Sequence, residues 1–191
     1  MVEAASGTRA ARVLYFVRHG QYHLAEGKQQ GQLTALGRRQ ARLLARYFAG
    51  LEIATIVSSD LARAVETANL LSRELGFSRP KRNALLREVM PCKVRGVVVP
   101  FAKRHEARER IERVMNHFFR PSRAARNEIV VCHGNLIRAL VCRLTGAPPA
   151  MFQQMIAHNT GVTCFVVSPD GPRLLGYNAV SHLPMSARSV T

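Results

Sequence analysis

No apolar run in the 191-residue chain approaches the roughly 18 residues that a membrane-crossing helix needs, so no membrane anchor is expected. The start, Met1 to Arg12, is small, polar and basic. It lacks the apolar core of a secretory leader and reads as a flexible segment over residues 1–12. Four cysteines, Cys92, Cys132, Cys142 and Cys164, show no Cys-x-x-Cys spacing. They read as small buried hydrophobes rather than metal ligands, and a reducing compartment fits them. With no export or anchor signal, a cytoplasmic address is expected. No linker, internal repeat or low-complexity stretch divides the chain, and its length suits one domain over 13–191. Acidic residues are scarce, 12 against 28 basic, so the net charge is +16. Such a surface attracts anions. The arginines are scattered, however, and no nucleic-acid motif accompanies them, so no nucleic-acid partner is expected.

What is present begins with Val13-Leu14-Tyr15-Phe16-Val17, five apolar residues that read as a strand buried on both faces. Arg18-His19-Gly20 follows at once, and the glycine reads as the point of a sharp turn. The pattern returns at Ile129-Val130-Val131-Cys132, followed by His133-Gly134. One such tripeptide is an ordinary loop start. Two in an α/β chain suggest a shared pocket, because parallel strands place their carboxyl ends together.

Between these strands the chain alternates. After a polar loop over 21–32, Thr34 is placed to cap a helix reaching Phe48, and Ile53 to Val57 reads as a strand. Ser58-Ser59-Asp60 supplies capping oxygens for a helix from Leu61 to Leu75. Arg63 falls in its first turn, where free N–H groups and the helix dipole already favour an anion. Taken alone, Arg63 reads rather as a solvent-facing arginine near a cap. Glu88 stands beside Val89 and Met90, an apolar setting that raises a carboxyl pKa, although an ion pair with Arg87 or another arginine is the plainer alternative. An apolar stretch over 94–100 has no clear type. A helical period runs from Ala102 to Phe119. Asn135 is placed to cap a helix from Leu136 to Leu144, and a short helix is expected over 150–156. The turn signal Ser168-Pro169-Asp170-Gly171 joins two strands into a hairpin. The fold expected is α/β, a three-layer sandwich with a mostly parallel central sheet flanked by helices.

Five stretches together carry a family likeness: Val17-Arg18-His19-Gly20-Gln21-Tyr22-His23, Leu33-Thr34-Ala35-Leu36-Gly37-Arg38, Ser58-Ser59-Asp60-Leu61-Ala62-Arg63-Ala64-Val65-Glu66-Thr67, Leu86-Arg87-Glu88, and Cys132-His133-Gly134-Asn135-Leu136-Ile137-Arg138. From Val13 to Pro184 the chain resembles the histidine phosphatase superfamily. Within it, the chain resembles most the phosphoglycerate-mutase-like serine/threonine protein phosphatases. The resemblance implies a phosphohistidine route without metal or other cofactor. His19 would be the nucleophile, Arg18 and Arg63 the phosphate clamp, His133 a donor to the phosphoryl group and Glu88 the general acid. Gln21 and Thr160 would lie near the substrate. After His19 the asparagine found in many small-molecule members is missing, and Val89 replaces the glycine that follows the acidic residue in the protein phosphatases.

The implied substrate is a phosphorylated protein, with a small phosphate ester such as a sugar phosphate or nucleotide as the alternative. A mutase is disfavoured because the stretch from Glu88 to Ile129 is short. A catalytically quiet phosphate-binding module, and a homodimer, stay open.

Overall fold

The computed structural model describes residues 11–24, 31–92, 98–148 and 151–190. The expectations for residues 1–10, for the middle of the loop at 25–30, for 93–97 and for the start of the short helix at 150 lie outside the described residues.

Among the described residues, six strands form one sheet: β1 (Arg12–Arg18), β2 (Ile53–Ser58), β3 (Lys81–Arg82), β4 (Arg126–Cys132), β5 (Val162–Ser168) and β6 (Gly171–Ala179), in the order β3-β2-β4-β1-β5-β6. The first four are mutually parallel where they pair, while β5 runs antiparallel to both β1 and β6. Among the described residues, five α-helices flank the sheet: α1 (Ala35–Tyr47), α2 (Ala62–Glu74), α3 (Phe101–Phe118), α4 (Gly134–Thr145) and α5 (Met151–Gln154). Among the described residues, no helix is long and apolar enough to cross a membrane.

Alternation along the strands divides the core into two layers, as the two-residue period of a strand requires. Leu14 and Phe16 of β1, with Val130 and Cys132 of β4, face α3 and α4. Val17, Ile129 and Val131 face α1 and α2. Both faces are covered, which is why these strands read as unbroken apolar runs. The three-layer expectation holds.

Several boundaries differ from the sequence reading for identifiable reasons. Arg12 belongs to β1 rather than to a flexible start. Its guanidinium makes a bidentate ion pair with Glu128, at 2.7 and 2.6 Å, and donates to the carbonyl of Phe118. The charge hid its strand register. Thr34 caps α1 as expected, accepting from the Gly37 amide at 3.0 Å. Neither α2 nor α4 is capped by its own N-cap side chain, although Ser59 Oγ accepts from the Leu61 amide at 3.3 Å just before α2. Asp60 instead pairs with Arg87 at 2.6 Å, and Asn135 lies within α4.

Candidate active site

The order β2-β4-β1 sets three strand ends side by side. The ladder continues one residue past each: the His19 amide donates to Cys132 O at 3.0 Å, and the Ser59 amide to Val131 O at 2.9 Å. His19, Ser59 and His133 are therefore neighbours at the carboxyl edge of the sheet, and all three are buried. The two imidazole centroids are 5.1 Å apart.

The loop after β1 is fastened at nearly every backbone group. His19 O accepts from the Asn159 side-chain amide at 3.1 Å, the Gly20 amide donates to Thr67 Oγ1 at 3.0 Å, and the Gln21 amide donates to Gln40 Oε1 at 2.9 Å. Gly20 is required for a steric reason, not for a left-handed turn. A Cβ there would stand 2.6 Å from Gly37 O in α1.

His19 Nδ1 lies 2.8 Å from Gly20 O. A carbonyl only accepts, so Nδ1 carries the proton and Nε2 keeps its lone pair. That lone pair accepts from Arg63 Nε at 3.0 Å, a bond that an incoming phosphoryl group would replace. Burial, followed by the charge of His133, holds the His19 pKa well below the ordinary histidine value, so the ring is neutral near pH 7. Burial, then Arg63 and Arg18, lowers His133 to about 3. His133 Nε2 meets Ser59 Oγ at 2.9 Å, whereas its Nδ1 is buried without a protein partner.

Arg18 Nε is likewise buried without a protein partner, while its terminal nitrogen donates to Ala157 O. Gly134 makes room for it: a Cβ there would lie 3.2 Å from Arg18 Nε. Unpartnered polar atoms on Arg18 and His133, together with the N-terminus of α4, form a cradle suited to an anion.

Glu88 stands at the start of α4. Asn83 caps the single 3-10 turn at Ala84–Leu86, and the Arg87–Asp60 pair anchors the next residue. Arg87 is thus committed to Asp60, which removes it as a partner for Glu88, and the arginine charges that reach Glu88 are those of Arg18 and Arg63. Glu88 Oε1 accepts from the amides of Val89, at 3.2 Å, and Leu136, at 3.3 Å. It therefore serves the uncapped N-terminus of α4. Burial pushes the carboxyl above its ordinary value, against the pull of Val89 N–H, Arg18 and Arg63.

All five residues singled out for catalysis or phosphate binding meet at this edge. Gln21 and Thr160 are tied up differently. Gln21 Oε1 accepts from Thr34 Oγ1 at 2.8 Å. Thr160 is wholly buried, with its hydroxyl on Asn159 O and its amide on Arg18 O at 3.0 Å. Its φ of 55° is a strained conformation for a β-branched residue, costing about 1–3 kcal/mol that its surroundings must offset. Both residues brace the His19 loop.

Sequence reading missed Tyr22, whose ring lies edge-on to His19 at 5.1 Å and beneath the Arg63 guanidinium at 4.7 Å. It also missed Gln40, Thr67 and Asn159. Of these only Thr67 left a local signal, four residues after Arg63 on one helix face, where its hydroxyl bonds Arg63 O.

The family model of the histidine phosphatase superfamily (branch 1) matches residues 14–104 and 98–180. The serine/threonine-protein phosphatase Pgam5, mitochondrial, of Caenorhabditis briggsae is 35% identical over 173 residues, covering 85% of this chain and 60% of that protein. The human protein of that name is 32% identical over 174 residues, with the same coverage. The chain spans about 60% of the length of these curated relatives. Among solved structures, Bacillus stearothermophilus YhfR aligns with a TM-score of 0.70 at 21% identity, over 90% of this chain and 98% of its own. That likeness concerns the fold. The relatives overturn the cytoplasmic expectation, since both are named as mitochondrial proteins and missing signals carry no address of their own. With its family pattern matched along most of its length and its histidines gathered at one sheet edge, the chain belongs to the histidine phosphatase superfamily.

Proposed function

We propose that this domain is a phosphomonoester hydrolase that works through a phosphohistidine at His19, needs no metal, and acts on phosphoserine or phosphothreonine in proteins. One observation carries the reading: His19 Nδ1 donates to Gly20 O, so its Nε2 keeps a lone pair, which accepts from Arg63 Nε in the pocket that a phosphoryl group would enter. The relatives' names support the protein-substrate class and a mitochondrial address. A cleft of about 420 Å³ beside Arg63, lined in part by Tyr22, Leu24 and Leu61, leaves room for a peptide next to the phosphate.

The chemistry runs in two displacements. The phosphoryl group takes the place beside His19 Nε2, with Arg18 and Arg63 gripping its oxygens. Nε2 attacks phosphorus, the ester P–O bond breaks, and the leaving oxygen takes the Glu88 proton. Charge developing on the phosphoryl oxygens is met by the arginines and His133. Water then gives its proton to the Glu88 carboxylate, its oxygen attacks phosphorus, the P–N bond breaks and phosphate leaves. An incoming phosphate dianion raises the Glu88 pKa further, so substrate binding helps to load the acid.

The test is hydrolysis of para-nitrophenyl phosphate and of a phosphothreonine peptide in the presence of a chelator, with Glu88→Gln beside the wild type. Chelator-resistant turnover is expected. In the variant, kcat/KM should fall by on the order of a hundredfold for the peptide and much less for the nitrophenyl ester, whose leaving oxygen needs no proton. Equal losses on both substrates would remove Glu88 from the acid role. Chelator-sensitive turnover would defeat the metal-free route, and turnover of small esters without peptides would favour a small-molecule phosphatase.

A further inference from the structure

Behind the catalytic loop runs a chain of hydrogen bonds that the two displacements do not use. The Gln21 amide donates to Gln40 Oε1 at 2.9 Å, and Gln40 Nε2 donates to Ser189 Oγ at 2.9 Å. The Ser189 hydroxyl donates to Asn159 Oδ1 at 2.8 Å, and Asn159 Nδ2 donates to His19 O at 3.1 Å. The direction is fixed at both ends. Gln40 Nε2 also meets Ala187 O at 2.8 Å, and a carbonyl accepts only from the NH₂ end of an amide. The same holds for Asn159 against His19 O. Ser189 must therefore accept from one amide and donate to the other. Gln40 and Asn159 are wholly buried, and the Asn159 amide donates to Ser189 O at 2.9 Å, which seats the serine.

The relay begins and ends on the two sides of Gly20, the residue whose carbonyl sets the His19 tautomer. We propose that Ser189 is a positioning residue for His19: its hydroxyl joins Gln40 of α1 to Asn159 of the loop before β5, and so holds the His19–Gln21 turn in the geometry that keeps Nδ1 on Gly20 O. A directional chain polarises each of its members, so the middle link carries more than its own bond. Removing the hydroxyl leaves Asn159 Oδ1 without its Ser189 donor and frees the loop to shift. The inference rests on the phosphohistidine reading only for its kinetic readout.

The test compares Ser189→Ala with Ser189→Thr in the full chain. In Ser189→Ala, kcat on para-nitrophenyl phosphate should fall by on the order of tenfold with KM little changed, because the displaced group is the nucleophile and not the phosphate clamp. The His19 Nδ1–H resonance, assigned by its loss in His19→Gln, should move or broaden. Ser189→Thr, which keeps the hydroxyl, should restore both. Should Ser189→Ala fail to fold, Ser189→Cys replaces the hydroxyl with a weak donor at similar volume and carries the same comparison. An unchanged kcat and resonance in the folded variant overturns the proposal. So does an equal loss in the alanine and threonine variants, which would mark a packing effect. A wild type without turnover defeats the phosphatase reading, and the resonance alone then decides the relay.

Discussion

His19 and His133 occupy matching places. Each follows a buried strand, each precedes a glycine, and β1 and β4 pair in parallel with Arg18 opposite Cys132. Their surroundings are unlike. His19 sits in a loop tied to α1, α2 and the loop before β5, and its Nδ1 is committed to Gly20 O. His133 begins α4 directly, leans on Ser59 through Nε2 and leaves Nδ1 without a protein partner. The glycines differ too, since Gly20 admits the backbone of α1 and Gly134 admits the side chain of Arg18. One tripeptide pattern thus serves two ends: a fixed tautomer whose Nε2 lone pair accepts from Arg63, and an anion cradle at a helix start.

Replacing each histidine by alanine should give the largest contrast. His19→Ala is expected to lose on the order of 10⁴-fold or more in kcat and to form no acid-labile phosphoenzyme. His133→Ala should lose about 10²–10³-fold and still trap label slowly. A labelled phosphoenzyme in His19→Ala would reverse the assignment.

The glycines should separate stability from binding. Gly20→Ala sets a methyl against α1 backbone and should lower Tm markedly, by about 1–3 kcal/mol of overpacking. Gly134→Ala crowds the flexible Arg18 side chain, at 3.2–3.3 Å, and meets Ala157 Cβ at an ordinary 3.5 Å, so Tm should hold while KM for phosphate esters rises. Thermal melts and saturation curves on the pair would show it, and a Tm loss confined to Gly134→Ala would contradict the contrast.

Acid should expose what the two imidazoles share. Both have folded pKa values below the unfolded value of 6.5, as does His182, held near 4 by burial. Between the folded and unfolded values the unfolded chain binds more protons, so stability is full above pH 6.5 and is lost as pH falls. Glu88, raised on folding, contributes with the opposite sign. Tm should therefore drop between pH 7 and pH 5, and His133→Asn should flatten the slope. A Tm independent of pH over that range would show that these rings do not stay neutral on folding.

The smallest effect expected is that of Ser59→Ala, which removes one neutral partner of His133, worth about 1 kcal/mol or roughly fivefold in kcat. No change would leave the orientation of His133 to burial alone.

Local sequence determined the elements and much of the site. Unbroken apolar runs marked β1 and β4, Thr34 marked the start of α1, and Pro169-Asp170-Gly171 marked the β5–β6 turn, because periodicity, capping and turn chemistry act between residues close in the chain. The resemblance singled out Arg18, His19, Arg63, Glu88 and His133, and the strand order brought them together. Tertiary structure alone decided which atoms meet. It set the His19 tautomer, gave Arg87 to Asp60 so that Glu88 could serve α4, drew Arg12 into the core against Glu128, and ran Gln40, Ser189 and Asn159 into one relay. Apart from the tautomer, whose acceptor is the adjacent residue, these bonds join positions far apart in sequence. No local pattern encodes such partners, because they depend on where the folded chain crosses itself.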